Sequence, residues 1–398
     1  MKSIREIYKI GYGPSSSHSM GPGRAAKHFK ERNPDAERYH ITLYGSLALT
    51  GKGHGTDEAI HKIIRRPQDT EIIWEPQKTL PHHPNGMLFE AIKEGVVTDS
   101  WEVYSTGGGS LWDELGTFDG KNVYPNVKMN DILEWCKIEG RSMAEFVEIH
   151  EGIEIYDYLK EVWHVMQNSI QHGIETEGVL PGTLKLARKA ASYYIRAQQS
   201  AGTLRHMGTL FAASLAVAEE NAGGGLIVTA PTCGASGVVP SVLYFLKLDQ
   251  NISDNRILRA LATAGLIGNI VKSNGSISGA EVGCQGELGT ACAMAAGAAA
   301  QLLGGSPLHI EYAAEMGFEH NLGLTCDPVE GYVQIPCIER NAFISQKARE
   351  CAIYALFSDG QHKVSFDDVV ETMMQTGYDM QAKYRETSLG GLARVYRL

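Results

Sequence analysis

From residue 155 onward the chain repeats one arrangement: Ile155, Leu159, Val162, Met166 and Ile170 recur at spacings of three and four. At 3.6 residues per turn such spacing puts all five on one helix face, which must be buried against a neighbour. The pattern returns at 208–220, 237–247, 256–268, 307–318 and 341–356. Residues 151–398 are therefore expected to form an all-helical domain. Its most constrained stretch is ELGTACAMAAGAAAQLLGG, residues 287–305. Ala and Gly dominate it on every side, so neighbouring helices can approach closely, and a central buried helix is the simplest expectation.

Residues 1–150 follow a different rule. Short runs rich in β-branched and aromatic residues, bounded by Gly, Pro and Asp, predict strands at 40–48, 71–75, 100–110 and 122–128. Helices are predicted at 22–32 and 57–65. This half reads as an α+β N-terminal domain preceding an all-α C-terminal domain, with the boundary at the charged segment EIHEGIEI, residues 148–155. No repeat of solenoid period and no low-complexity linker interrupts the chain.

Charge narrows the partners. A formal net charge of −10, with IIRRP at 63–67 as the longest basic run, leaves no cationic excess to neutralise phosphates. A nucleic-acid partner is excluded on that reading and a small molecule is favoured. The start of the chain carries no uninterrupted apolar segment, and ACAMAAGAAAQLLGG at 291–305 is too short and too rich in Ala and Gly to span a bilayer. A cytoplasmic protein without a membrane partner is expected. Its seven cysteines should then be reduced. Cys136, Cys292 and Cys351 fall in helical patterns and are assigned to packing.

Three others sit differently. EVGCQGE, NLGLTCDPVEG and QIPCIERNA place Cys284, Cys326 and Cys337 in loops beside Gly or Pro and acidic residues. Soft thiolate ligands suit zinc or an iron–sulfur cluster. Structural zinc usually shows a close C-x-x-C pair, absent here, whereas three cysteines suit a [4Fe–4S] cluster with one iron open. Three unrelated buried cysteines is the competing reading, and spacing alone does not decide. Ahead of them, GYGPSSSHSMGPGRAA runs from a loop bearing Ser15, Ser16, Ser17, His18 and Ser19 into a helix near Pro22. Hydroxyls and backbone N–H groups at a helix start can hold a carboxylate or phosphate, though a flexible Ser-rich loop would look the same. In TGKGHGTDEAI the glycines around His54 leave a ligand room to approach, as a general base requires, and a solvated loop histidine is the alternative. STGGGS at 105–110 is a third Gly-rich loop.

Taken together, GPSSSHSMGP, TGKGHGTD, STGGG, TAPTCGASGVVP, SGAEVGCQGELGTACAMAAG, NLGLTCDPVEGYVQIPCIERNA and KYRETSLGGLA resemble the iron–sulfur-dependent L-serine dehydratases, or L-serine ammonia-lyases, in single-chain form. The resemblance covers nearly the whole chain. It implies that Cys284, Cys326 and Cys337 hold a [4Fe–4S] cluster, that Ser15, Ser16, Ser17, His18 and Thr56 bind L-serine, that His54 is the base, and that the protein is a homodimer. Two departures stand out. The chain ends RVYRL rather than in the cysteine of some relatives, and Cys233 stands where Asn is often expected. A pyridoxal-phosphate enzyme using Lys52 or Lys272, a lyase acting on L-cysteine or L-threonine, and a non-catalytic amino-acid sensor are the rival readings.

Overall fold

The computed structural model describes residues 1–64, 69–118, 120–125 and 128–396. A sheet-bearing N-terminal region leads into a largely helical C-terminal region, as the sequence pattern predicts. The chain opens with strand β1 (Ile10–Tyr12), preceded by Ile4, Ile7 and Tyr8, all buried in the helical body. The Tyr8 hydroxyl donates to the Leu261 carbonyl at 2.8 Å. Only after this anchor does the chain enter the main sheet.

That sheet comprises β2 (Arg38–Tyr44), β3 (Thr70–Glu75), β4 (Gly86–Lys93), β5 (Val96–Ser105), β6 (Leu111–Asp113) and β7 (Gly116–Thr117), in the order β3-β2-β4-β5-β6-β7. β2 and β3 run parallel, and the other neighbours are antiparallel. Helices Gly21–Arg32 and Thr56–Ile64 supply Ala25, Phe29, Ile60 and Ile64 to a core shared with Ile41, Leu43, Phe89 and Val103. Residue 65, the last of the helix expected over 57–65, lies outside the described residues.

Three strand expectations change, the first being that the run 100–110 leaves the sheet at Ser105. The run 40–48 leaves the sheet after Tyr44, because Gly45 adopts φ +52 and a helix, Gly45–Thr50, begins there. A Cβ at Gly45 would lie 2.6 Å from the Pro84 carbonyl oxygen, so the turn demands glycine. Over 122–128, the described residues form no strand: the N–H groups of Val123 and Tyr124 donate to the Met1 carbonyl instead, and Pro125 has none to give. Residues 126 and 127 lie outside the described residues. β4 matches no strand expected from the sequence, although Met87, Phe89 and Ala91 alternate inward along it.

In the helical body, Thr290–Leu302 runs through the centre with nearly every residue buried. Glycine permits the contacts: a Cβ at Gly317 of the helix Pro307–Glu319 would meet the Cys292 and Ala293 backbone at 3.2 Å. Cys136, Cys292 and Cys351 are buried in this core. Helices Met129–Glu139 and Met143–Glu151 also contribute to it. Strand β8 (Leu226–Val228) pairs antiparallel with β1, Ile10 opposite Val228. This pairing delivers the segment after β1, which carries Ser15–His18, to the Thr229–Ala235 loop of the helical body. Among the described residues no helix is long and apolar enough to cross a membrane.

Candidate active site

Cys284 ends the loop before a π-helical turn, Gln285–Gly289, that feeds the central helix. Cys337 opens the helix Cys337–Leu356. Cys326 is held by a backbone exchange with a distant segment, its N–H donating to the Tyr384 carbonyl and its carbonyl accepting from the Glu386 N–H, both at 2.8 Å. All three thiols are buried and face one small enclosed cavity with Ser15, His54, Glu287 and Glu386. A separate cleft of about 1130 Å³ lies beside the same loops against Pro14, Lys52, Gly53 and Gln334. The thiols do not line it.

The Cys326 thiol is pushed well above its ordinary range, first by the Cys284 sulfur beside it and then by burial. Burial raises Cys337 likewise. Unliganded, these sulfurs keep their protons, and a bound cation would release them. Arg340 lies close to all three sulfurs and opposes the rise at Cys337, anchored by a bond to the Thr325 carbonyl at 2.7 Å and an ion pair with Asp327 at 3.5 Å. Glu287 lies beside the thiols, with Oε1 4.0 Å from the Cys326 sulfur and Oε2 accepting from Thr232 at 2.6 Å. Burial lifts its pKa to about 7. Ligand atoms of Cys284, Glu287 and Cys326 lie within 4.8 Å of one another. The donor chemistry fits a thiolate-bound iron–sulfur group: three buried sulfurs, an adjacent guanidinium, and apolar walls from Leu288, Pro328 and Val333.

Opposite the sulfurs, His18 and His54 stack with ring centroids 4.5 Å apart. His54 Nδ1 lies 2.8 Å from the Thr50 carbonyl, which can only accept, so Nδ1 carries the proton and Nε2 presents its lone pair. Burial lowers the His54 pKa to about 4, leaving a neutral imidazole. The tautomer of His18 follows by elimination. Ser46 gives its hydroxyl proton to the Glu386 carbonyl at 2.7 Å, so His18 Nε2–H must donate to Ser46 at 3.2 Å, while Nδ1 accepts from Ser17 at 2.9 Å. Glu386 Oε1 lies 3.5 Å from His18 Nδ1 and 3.7 Å from His54 Nε2. Burial, reinforced by Glu287 and Cys284, keeps the Glu386 carboxyl protonated far above its usual range.

The hydroxyls singled out in the sequence sit around these rings. Ser15 accepts from the His18 N–H at 3.1 Å, Ser16 from the Cys233 N–H at 3.4 Å, and Thr56 donates to the His18 carbonyl at 2.6 Å. Ser19 donates to the His54 carbonyl at 2.6 Å. Of this group only Ser15 also lines the cavity of the thiols. Cys233 packs against Met20 outside that cavity. Lys52 rests over the Trp74 ring and Lys272 bonds Ser110, so neither amine faces the thiols.

Glu287, Arg340 and Glu386 received no role from sequence reasoning. Glu287 was visible in EVGCQGE, three residues past the cysteine and about one turn along. Glu386 lay inside KYRETSLGG with nothing local to mark it, since only tertiary packing carries it to Cys326.

A buried three-thiol pocket, faced by two neutral imidazoles and two carboxyls where two regions meet, has the makeup of a metal-assisted acid–base enzyme. Residues 87–393 match the serine dehydratase alpha chain family and residues 3–66 the serine dehydratase beta chain family. Over 99% of this chain and 98% of the relative, the sequence is 43% identical to L-serine dehydratase 2 of Escherichia coli. It is 41% identical to an L-serine dehydratase of Streptomyces coelicolor over 98% of each, and 38% identical to one of Helicobacter pylori over 99% of each. The chain belongs to the serine dehydratase family, with its alpha and beta parts joined in one polypeptide.

Proposed function

We propose that this protein is an L-serine ammonia-lyase that converts L-serine to pyruvate and ammonia. The observation that carries the reading is the convergence of Cys284, Cys326 and Cys337 with His54 and Glu386 on one enclosed cavity, in a chain of this family. Held by the three cysteines, a [4Fe–4S] cluster supplies a Lewis acid that eases departure of a hydroxyl, a poor leaving group. The remaining tasks fall to the chain. His54 Nε2, lone pair exposed to the cavity and proton held off by burial, takes the weakly acidic α-proton. Glu386 stands beside that nitrogen as a neutral carboxyl, so no anion competes there for the proton.

The substrate carboxylate is assigned to the group Ser15, Ser16, Ser17, His18 and Thr56, of which Ser15 lines the cavity. Their mutual hydrogen bonds fix the His18 ring and hence the orientation of the Cα–H bond toward His54. Loss of water leaves an aminoacrylate, which tautomerises to an imine and hydrolyses to pyruvate and ammonia. Every group assigned a role comes from one chain, and the homodimer implied by the resemblance is read by sedimentation. Anaerobic purification, iron and sulfide analysis, and a serine-to-pyruvate assay on the same sample test the proposal. Iron without pyruvate release, or pyruvate release from iron-free protein, would overturn it.

A further inference from the structure

Arg340 stands where a helix ordinarily avoids a cation. It lies three residues beyond Cys337, the first residue of the helix Cys337–Leu356, close to the positive end of the helix dipole, and its side chain is only 19% exposed. Dipole and desolvation both oppose a guanidinium there, so contacts on its other side must compensate.

Those contacts converge on the surroundings of a different thiol. Arg340 Nη1 donates to the Thr325 carbonyl at 2.7 Å, and Nη2 pairs with Asp327 Oδ1 at 3.5 Å. Thr325 and Asp327 are the two neighbours of Cys326. A side chain rooted beside Cys337 therefore grips the chain on both sides of Cys326. Guanidinium geometry suits the task, because its planar fork reaches two acceptors at once, whereas a lysine ammonium is a single point of charge. An ordinary buried ion pair is the plainer alternative. The distances decide against it: the contact to the carboxylate is the long one, and the short bond goes to a backbone carbonyl, which fixes the path of the loop.

The other side of the loop is held independently. Cys326 exchanges backbone bonds with Tyr384 and Glu386, and Asp327 Oδ2 accepts from the Leu392 N–H at 2.6 Å. Gly391 makes that approach possible at φ +54, since a Cβ there would lie 2.0 Å from Asp327 Oδ2. The C-terminal segment thus fixes Cys326 against the two histidines. Arg340 fixes it against the Cys337 helix.

Resting on the reading of Cys284, Cys326 and Cys337 as the holders of an iron–sulfur group, we propose that Arg340 is a positioning residue whose fork clamps the Cys326 loop to the start of the Cys337 helix. The clamp sets the separation of the two sulfurs before metal arrives. Groups that orient metal ligands from outside the coordination sphere are worth about 10- to 100-fold in metal affinity.

Two variants separate fork from charge. Arg340→Lys keeps the charge and loses the fork, and Arg340→Gln loses both. In anaerobically reconstituted enzyme, iron loss to a ferrous chelator, followed by absorbance, is expected to be about 10- to 100-fold faster than wild type in both. In the iron-free full-length variants, hydrogen exchange read by mass spectrometry should quicken in the peptides that carry residues 322–329, while peptides from the main sheet and from Thr290–Leu302 exchange as in wild type. An Arg340→Lys protein that released iron at the wild-type rate would overturn the inference, because charge alone would then suffice. Exchange that rose evenly along the whole chain would also overturn it, as the mark of general destabilisation. A wild-type protein that took up no iron would sink the cluster reading, and the exchange data would still judge the clamp: local quickening retains it, and unchanged exchange overturns it.

Discussion

Burial of His83 has a measurable consequence for acid stability. The ring is held neutral in the folded protein, its pKa lowered by burial from 6.5 to about 4. In the unfolded chain it recovers the ordinary value. At about pH 7.5 neither state is protonated and the residue is neutral toward folding. As pH falls below the unfolded value, the unfolded chain takes up a proton that the folded chain refuses, so stability is lost on acidification. For these two pKa values the loss is about 2 kcal/mol at pH 5 and levels off near about 3 kcal/mol once pH drops below the folded value. His83→Gln removes the titrating group while keeping a side-chain donor. Urea unfolding of both proteins at about pH 7.5, 6 and 5, followed by circular dichroism and fluorescence, compares the two slopes. The variant should lose about 2 kcal/mol less than the wild type between pH 7.5 and 5, whatever constant offset the substitution brings. Parallel profiles would refute the argument, because they would mean that the folded protein protonates His83 as readily as the unfolded chain does.

Replacing Cys284, Cys326 or Cys337 by Ser should abolish iron binding measured by metal analysis, whereas Cys136→Ser, Cys292→Ser and Cys351→Ser should retain it. His54→Ala should lower kcat by about 10²- to 10⁴-fold with KM for L-serine and the visible spectrum nearly unchanged, as removal of a general base requires; near-normal turnover would move the role to His18. Gly173→Ala places a Cβ 2.4 Å from the Ala216 carbonyl oxygen, where the helices Ile155–Glu175 and Gly202–Ala222 touch. Overpacking of about 1–3 kcal/mol against a backbone atom should outweigh the helix-propensity gain and lower the midpoint of thermal unfolding.

Much of the architecture was legible because it rests on local periodicity. Ile155, Leu159, Val162, Met166 and Ile170 are all buried on one face, and the Ala-rich run is the central helix. Helices keep their hydrogen bonds within the segment, so a single window of sequence carries the signal. Strands fared less well. β4 and the early end of β2 depend on partners elsewhere in the chain, and the 122–128 segment spends its donors on Met1 rather than on a neighbouring strand.

In the site the same division holds. Lone cysteines among glycines, a serine-rich turn before a helix and a histidine between glycines advertise themselves by residue type, and motif resemblance joined them. Nothing local distinguishes Glu386 from other glutamates. It reaches the thiols because the Cys326 backbone pairs with a segment 60 residues away, lowering it into a water-poor cavity where its carboxyl keeps a proton. Arg340 is likewise one arginine in a helix until the Cys326 loop folds onto it. The sequence by itself determined which segments are helical and which residue types could do chemistry, since both follow from short-range covalent order. Only the tertiary structure decided protonation states, tautomers and the pairing of distant segments, because these depend on desolvation and on neighbours that the chain brings together from afar.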